Sequence, residues 1–148
     1  MSPTIEERVE SVRSGKNPTL ICQVPSGWAV LCDTQFLPGY SILLPDPVVK
    51  DINALTREAR SVYLCDMAMI GDALLEVTGA YRINYAILGN TDPALHAHII
   101  PRYLGEPEAF RKGLPWSYSR EYVEAHMFEY EHDKELIQRI AQAIKKRL

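Results

Sequence analysis

The chain has 148 residues, 47% hydrophobic and 24% charged, with a formal net charge of −3 at pH 7. That length suits one domain able to bury an adequate core, and the slight acidity removes any general electrostatic reason to expect nucleic acid or a membrane surface as partner. Cys22, Cys32 and Cys65 are odd in number and form no C-x-x-C pair, which excludes a disulfide framework and a zinc knuckle and predicts reduced, buried thiols. No apolar run approaches the length of a membrane span and the N-terminus is acidic and polar, so a cytoplasmic protein is expected.

In chain order, Thr4 and Glu7 have the spacing of a capping box, and Ile5, Val9 and Val12 follow at helical intervals up to Gly15. Asn17-Pro18 breaks the chain. Thr19–Gln23 and Trp28–Cys32 read as a hairpin about the turn Pro25-Ser26-Gly27, and Tyr40–Leu44 as a third strand between Pro38-Gly39 and Pro45. Short loops between three strands predict an antiparallel meander. From about Asn53 to Val77, the residues Leu55, Ala59, Tyr63, Met67, Ile70, Leu74 and Val77 form one apolar helical stripe. In that setting Met67 and Met69 are core filler rather than ligands.

Gly79 ends the helix, Ile83–Leu88 resumes strand character, and a Gly89 turn leads to Ala94-Leu-His96-Ala-His98-Ile-Ile-Pro101. Beyond Tyr103 the pattern loosens around Gly105, Pro107, Gly113 and Pro115, and a last helix is predicted from Asp133 to Leu148. Lys145, Lys146 and Arg147 at its end complement the helix dipole better than they suggest a nucleic-acid patch. We expect a single domain over 1–148, with a core of about 19–103 and a C-terminal extension at 104–148.

His96 and His98 are two residues apart in a predicted strand, so their rings share a face with Ala94. A packed pair, a metal site and a nucleophile are all open to them. Against a metal, Arg102 and Tyr103 stand where a cupin-like site wants a carboxylate, and Ile100 where an H-x-H-x-D-H hydrolase wants Asp. His126 and His132 read as solvated surface residues. Neutral imidazole, by contrast, attacks phosphorus well and leaves readily, and the N–H groups of Gly89, Asn90 and Thr91 are cheap donors for phosphate oxygens.

The segment from Gly89-Asn90-Thr91 to His96-Ala97-His98-Ile-Ile-Pro101-Arg102 resembles the signature of the histidine triad family. That signature is His-φ-His-φ-His-φ-φ, often closed by Pro-Arg, with a Gly-Gln-Ser/Thr segment ahead of it. Leu37-Pro38-Gly39-Tyr40-Ser-Ile-Leu-Leu-Pro45 is similar to the family's Pro-Gly-His-x-Leu-φ-φ-Pro strand. The resemblance spans about Thr19 to Arg102.

It implies an α+β fold, with a mainly antiparallel sheet of about five strands, one long packed helix and flanking terminal helices. It also implies a nucleotide hydrolase or nucleotidyltransferase acting at the α-phosphorus of dinucleoside polyphosphates, such as diadenosine polyphosphates, or of nucleoside phosphoramidates. In that reading His96 becomes nucleotidylated, His98 contacts the phosphates, Thr91 and Asn90 bind phosphate, Asp33 binds the ribose hydroxyls, and Asn84 is a further polar contact. A homodimer is implied, no metal is held by the protein, and any Mg²⁺ rides on the substrate. Two positions depart from the pattern: Ala94 replaces the first His, and Tyr40 replaces a His found in some branches. A nucleotide-binding or scaffold protein with weakened catalysis is therefore the alternative.

Overall fold

In the computed structural model, which describes residues 2–148, the Thr4 half of the expected capping box forms. Thr4 Oγ1 accepts from the Glu7 N–H at 3.1 Å and opens α1 (Ile5–Arg13). The Pro25-Ser26-Gly27 turn closes a hairpin of β1 (Leu20–Val24) and β2 (Gly27–Leu31), and β3 (Ser41–Pro45) completes the meander. After α2 (Arg57–Thr78), β4 (Arg82–Ala86) and β5 (Ala97–Arg102) give a sheet of order β1-β2-β3-β5-β4 in which every neighbour is antiparallel. This is the expected α+β architecture.

The two-residue period of the strands sorts the core into two layers. Ala29, Leu31, Leu43, Ala97 and Ile99 face Tyr63, Ile70 and Leu74 of α2 and Ile140 and Ile144 of the C-terminal helix α5 (Tyr130–Lys145). On the other face Val30, Ile42, Leu44 and Ile100 pack against Ile5, Val9 and Val12 of α1. His98 shares that second face. The terminal helices thus carry core residues on both sides of the sheet.

Several boundaries move for local reasons. The helix expected from Asn53 divides into a 3-10 turn (Ile52–Ala54) and α2, because Thr56 turns outward and caps Ala59 N–H at 3.1 Å. The strand expected through Leu88 ends at Ala86, and β5 starts only at Ala97, so His96 stands just ahead of it. The last helix begins earlier than Asp133, at Tyr130, where the Glu129 carboxylate accepts from the N–H groups of Glu131 and His132. The expectation of buried thiols holds for Cys22, while Cys32 is half-buried and Cys65 is exposed. Cys65 lies off the α2 stripe and faces outward. Gly71 marks a close approach, since a Cβ there would come within 2.0 Å of the Tyr85 hydroxyl on β4.

Two short helices, α3 (Glu108–Arg111) and α4 (Arg120–Glu124), with a 3-10 turn at Pro115–Ser117 between them, organise the segment after β5. Arg102 holds it. Its guanidinium is 2% exposed and donates to both Glu106 oxygens (3.2 and 3.0 Å), Asn84 Oδ1 (2.8 Å) and the carbonyls of Phe110 (2.6 Å) and Gly113 (2.9 Å). Burial alone would raise the Glu106 carboxyl, yet the bonds from Arg102 and Tyr118 hold it below the usual carboxylate range.

Candidate functional site

His96 and His98 come together as the strand spacing requires, with ring centroids 5.0 Å apart in an edge-to-face arrangement. His96 Nδ1 lies 2.8 Å from the backbone carbonyl of Ala94. A carbonyl can only accept, so Nδ1 carries a proton, and in the neutral ring the lone pair is on Nε2. The group that fixes the His96 proton is a backbone carbonyl, so it does not depend on the side chain at position 94.

His98 is set differently. Its Nδ1 is 2.6 Å from the hydroxyl of Tyr40, a residue 3% exposed at the entry to β3. Burial raises the Tyr40 pKa well above that of a free phenol, so the hydroxyl keeps its proton, and we assign it as the hydrogen-bond donor to Nδ1. Burial, and secondarily the nearby His96, pushes His98 down to about 4. The ring is therefore neutral at pH 7, and we assign its one proton to Nε2. The pair offers complementary faces: a lone pair on His96 and an N–H donor on His98. Trp116, from the 3-10 turn after β5, sets its ring edge-on to His98 with centroids 5.7 Å apart.

The other predicted site residues fall into two groups. Gly89 takes a left-handed φ of +78°, which suits glycine, and begins the loop that carries the exposed Asn90 and Thr91 towards His96. Asp33 follows β2 and receives a bidentate pair from Arg8 of α1, at 3.2 and 2.7 Å. Asn84 lies apart from them. It stands mid-strand opposite Ile100, where its Oδ1 accepts from the Arg102 guanidinium.

Sequence reasoning missed Arg8, Asp92 and Trp116. Asp92 ties the loop to α1, since one carboxylate oxygen accepts from the N–H of Ile5 (2.8 Å) and the other from that of Ala94 (3.2 Å). The [Asn/Asp]-x-x spacing to a helix start is a usable signal only within one segment, and Asp92 and Ile5 lie 87 residues apart. Among the described residues no three His, Cys, Asp or Glu side chains converge as a metal site, and no helix is long and apolar enough to cross a membrane.

No family model and no curated protein match the sequence. Solved structures do match. A histidine triad protein from Sinorhizobium meliloti 1021 is 25% identical, over 87% of this chain and 88% of its own, at a TM-score of 0.68. A histidine triad protein from Marinobacter aquaeolei VT8 is 21% identical over 95% and 94%, at a TM-score of 0.73. This chain has the histidine triad fold. A hypothetical histidine triad nucleotide-binding protein from Sulfolobus tokodaii strain7, 15% identical over 93% and 91% at a TM-score of 0.71, shares it. The segment that resembles the family signature lies on β5 and just ahead of it.

Proposed function

We propose that the chain binds a nucleotide conjugate and transfers its nucleotidyl group through His96. The observation that carries this reading is the bond between His96 Nδ1 and the Ala94 carbonyl. It places the proton on Nδ1 and leaves the lone pair of the neutral ring on Nε2, and its carbonyl partner offsets the positive charge that grows on the ring as Nε2 bonds to phosphorus. In the first step the Nε2 lone pair attacks the α-phosphorus. The bond from phosphorus to the leaving oxygen or nitrogen breaks, and the leaving group departs with that electron pair and takes a proton from solvent.

In the second step water attacks the same phosphorus and gives up a proton to solvent, the P–N bond to His96 breaks with its electron pair returning to Nε2, and a nucleoside monophosphate leaves. His98, a neutral Nε2–H donor, bonds a non-bridging phosphate oxygen, while the Gly89–Thr91 loop supplies further N–H donors. Asp33, steadied by Arg8, takes the ribose hydroxyls. None of these steps calls on a metal held by the protein, and Mg²⁺ would ride on the substrate phosphates. Dinucleoside polyphosphates and nucleoside phosphoramidates both fit the scheme. The solved histidine triad nucleotide-binding protein of the same fold supports a nucleotide as ligand.

A second reading, a nucleotide-binding or scaffold protein, is favoured by the side chain missing at Ala94. Kinetics separate the two. We expect His96→Ala to abolish turnover of both conjugate classes while nucleotide affinity stays within a few-fold. Turnover comparable to wild type in a folded His96→Ala protein overturns the nucleophile and leaves the binder.

A further inference from the structure

Beside His96 is a cavity of about 180 Å³ whose lining joins two segments, Lys50 and Asp51 after β3, and Gly89, Pro93, Ala94 and His96 ahead of β5. A backbone hydrogen bond from the Leu95 N–H to the Val49 carbonyl, 2.8 Å long, ties the segments together one residue away from both Lys50 and His96. The lining carries one cation and one carboxylate, and the two are not partners. Asp51 Oδ1 accepts from the Ala54 N–H at 2.9 Å as the cap of the 3-10 turn. Among the described residues Lys50 forms no ion pair. Lys50 is an exposed residue of this lining, which leaves its charge free for an anion at the cavity.

The chemistry of the neighbouring positions says which anion. In-line displacement at the α-phosphorus sends the remainder of the conjugate away from His96 Nε2, and at the motif position two before His96 the cavity is lined only by the small side chain of Ala94. A methyl offers neither charge nor a hydrogen bond, whereas Lys50, which lines the same cavity, offers both through its ammonium. We infer that Lys50 supplies the cationic contact for the part of the substrate beyond the α-phosphate, so that the favoured conjugates carry a polyphosphate rather than an amine leaving group. This deepens the proposed reaction and rests on it for the identity of the leaving group. The cation itself needs no chemistry at His96.

The test is a calorimetric titration of the full chain with ATP and with AMP, probes that differ only in the phosphates beyond α. Wild type should bind ATP more tightly than AMP. Lys50→Gln should lower that ratio about five- to tenfold, as loss of one partly screened ion contact does, while Lys50→Arg keeps most of it. The ratio should also shrink with added salt in wild type and hardly at all in Lys50→Gln. A wild-type chain with no preference for ATP, a ratio unchanged in Lys50→Gln, or an equal loss for both nucleotides each overturns the assignment. Measuring the same ratios in His96→Ala, which forms no adduct, removes any turnover of ATP, so the two proposals fail separately. An intact ATP preference without turnover removes the nucleophile and keeps Lys50, and turnover with an unchanged ratio does the reverse.

Discussion

His98 shows how much of a histidine's role is decided by its surroundings. Strand spacing put it beside His96, but its protonation follows from burial and from the Tyr40 hydroxyl on its Nδ1. An unfolded histidine takes its proton near pH 6.5, and the folded ring does so at about 4. Between those values the unfolded chain holds more protons, so stability is full above the window and falls as pH drops through it. Urea midpoints of wild type and His98→Asn, measured at pH 7.5 and 4.5, should show the larger acid-side fall in wild type. Equal falls would contradict the depressed His98.

What was legible at this scale was residue type and spacing. The partners of those residues were not legible, because Tyr40 and His98 are 58 residues apart and Arg8 and Asp33 are 25 apart. Such pairs exist only once strand register is set. The Ala94 carbonyl was invisible for another reason, since every residue has one and sequence does not say where it points.

At the scale of elements, punctuation made the sheet readable. Pro25-Ser26-Gly27 and Pro38-Gly39 delimit the meander, and the α2 stripe names its own buried face. Residues 103–129 have no such period, so their structure comes from a tertiary anchor, Arg102. We predict that Arg102→Met costs about 3–5 kcal/mol, because it strands the Glu106 carboxylate and several carbonyls without a donor. Urea unfolding measures this, and adding Glu106→Gln to Arg102→Met should recover part of the loss. A cost under about 1 kcal/mol would show that the segment is held by something else. The same change should disturb the fluorescence of Trp116, which reaches His98 only because this segment is folded back.

For the whole molecule, the sheet order leaves β4 paired on one side only, by β5. Tyr85 on that strand lies against Gly71 of α2, and Leu64 and Leu75 sit seven before and four after Gly71, on the same side of the helix. Tyr85, Leu64 and Leu75 are all exposed, at 41%, 37% and 40%. An unpaired edge beside an apolar stripe suits a second copy of the chain, in keeping with the homodimer that the family resemblance implies. Sedimentation should give twice the chain mass, and Leu64→Glu with Leu75→Glu should give the single chain with its circular dichroism unchanged. A wild-type chain that sediments alone at micromolar concentration contradicts this.

The central claim is that His96 Nε2 bonds to phosphorus, and the most direct measurement is the intact mass of the protein quenched in denaturant during turnover of a nucleotide conjugate. The account predicts a species heavier by one nucleotidyl group, located on His96 by peptide fragmentation and absent from His96→Ala. The His98→Ala protein should still form it, about ten to a thousand times more slowly. Product release with no such species at any time, or with the adduct on another residue, would contradict the claim.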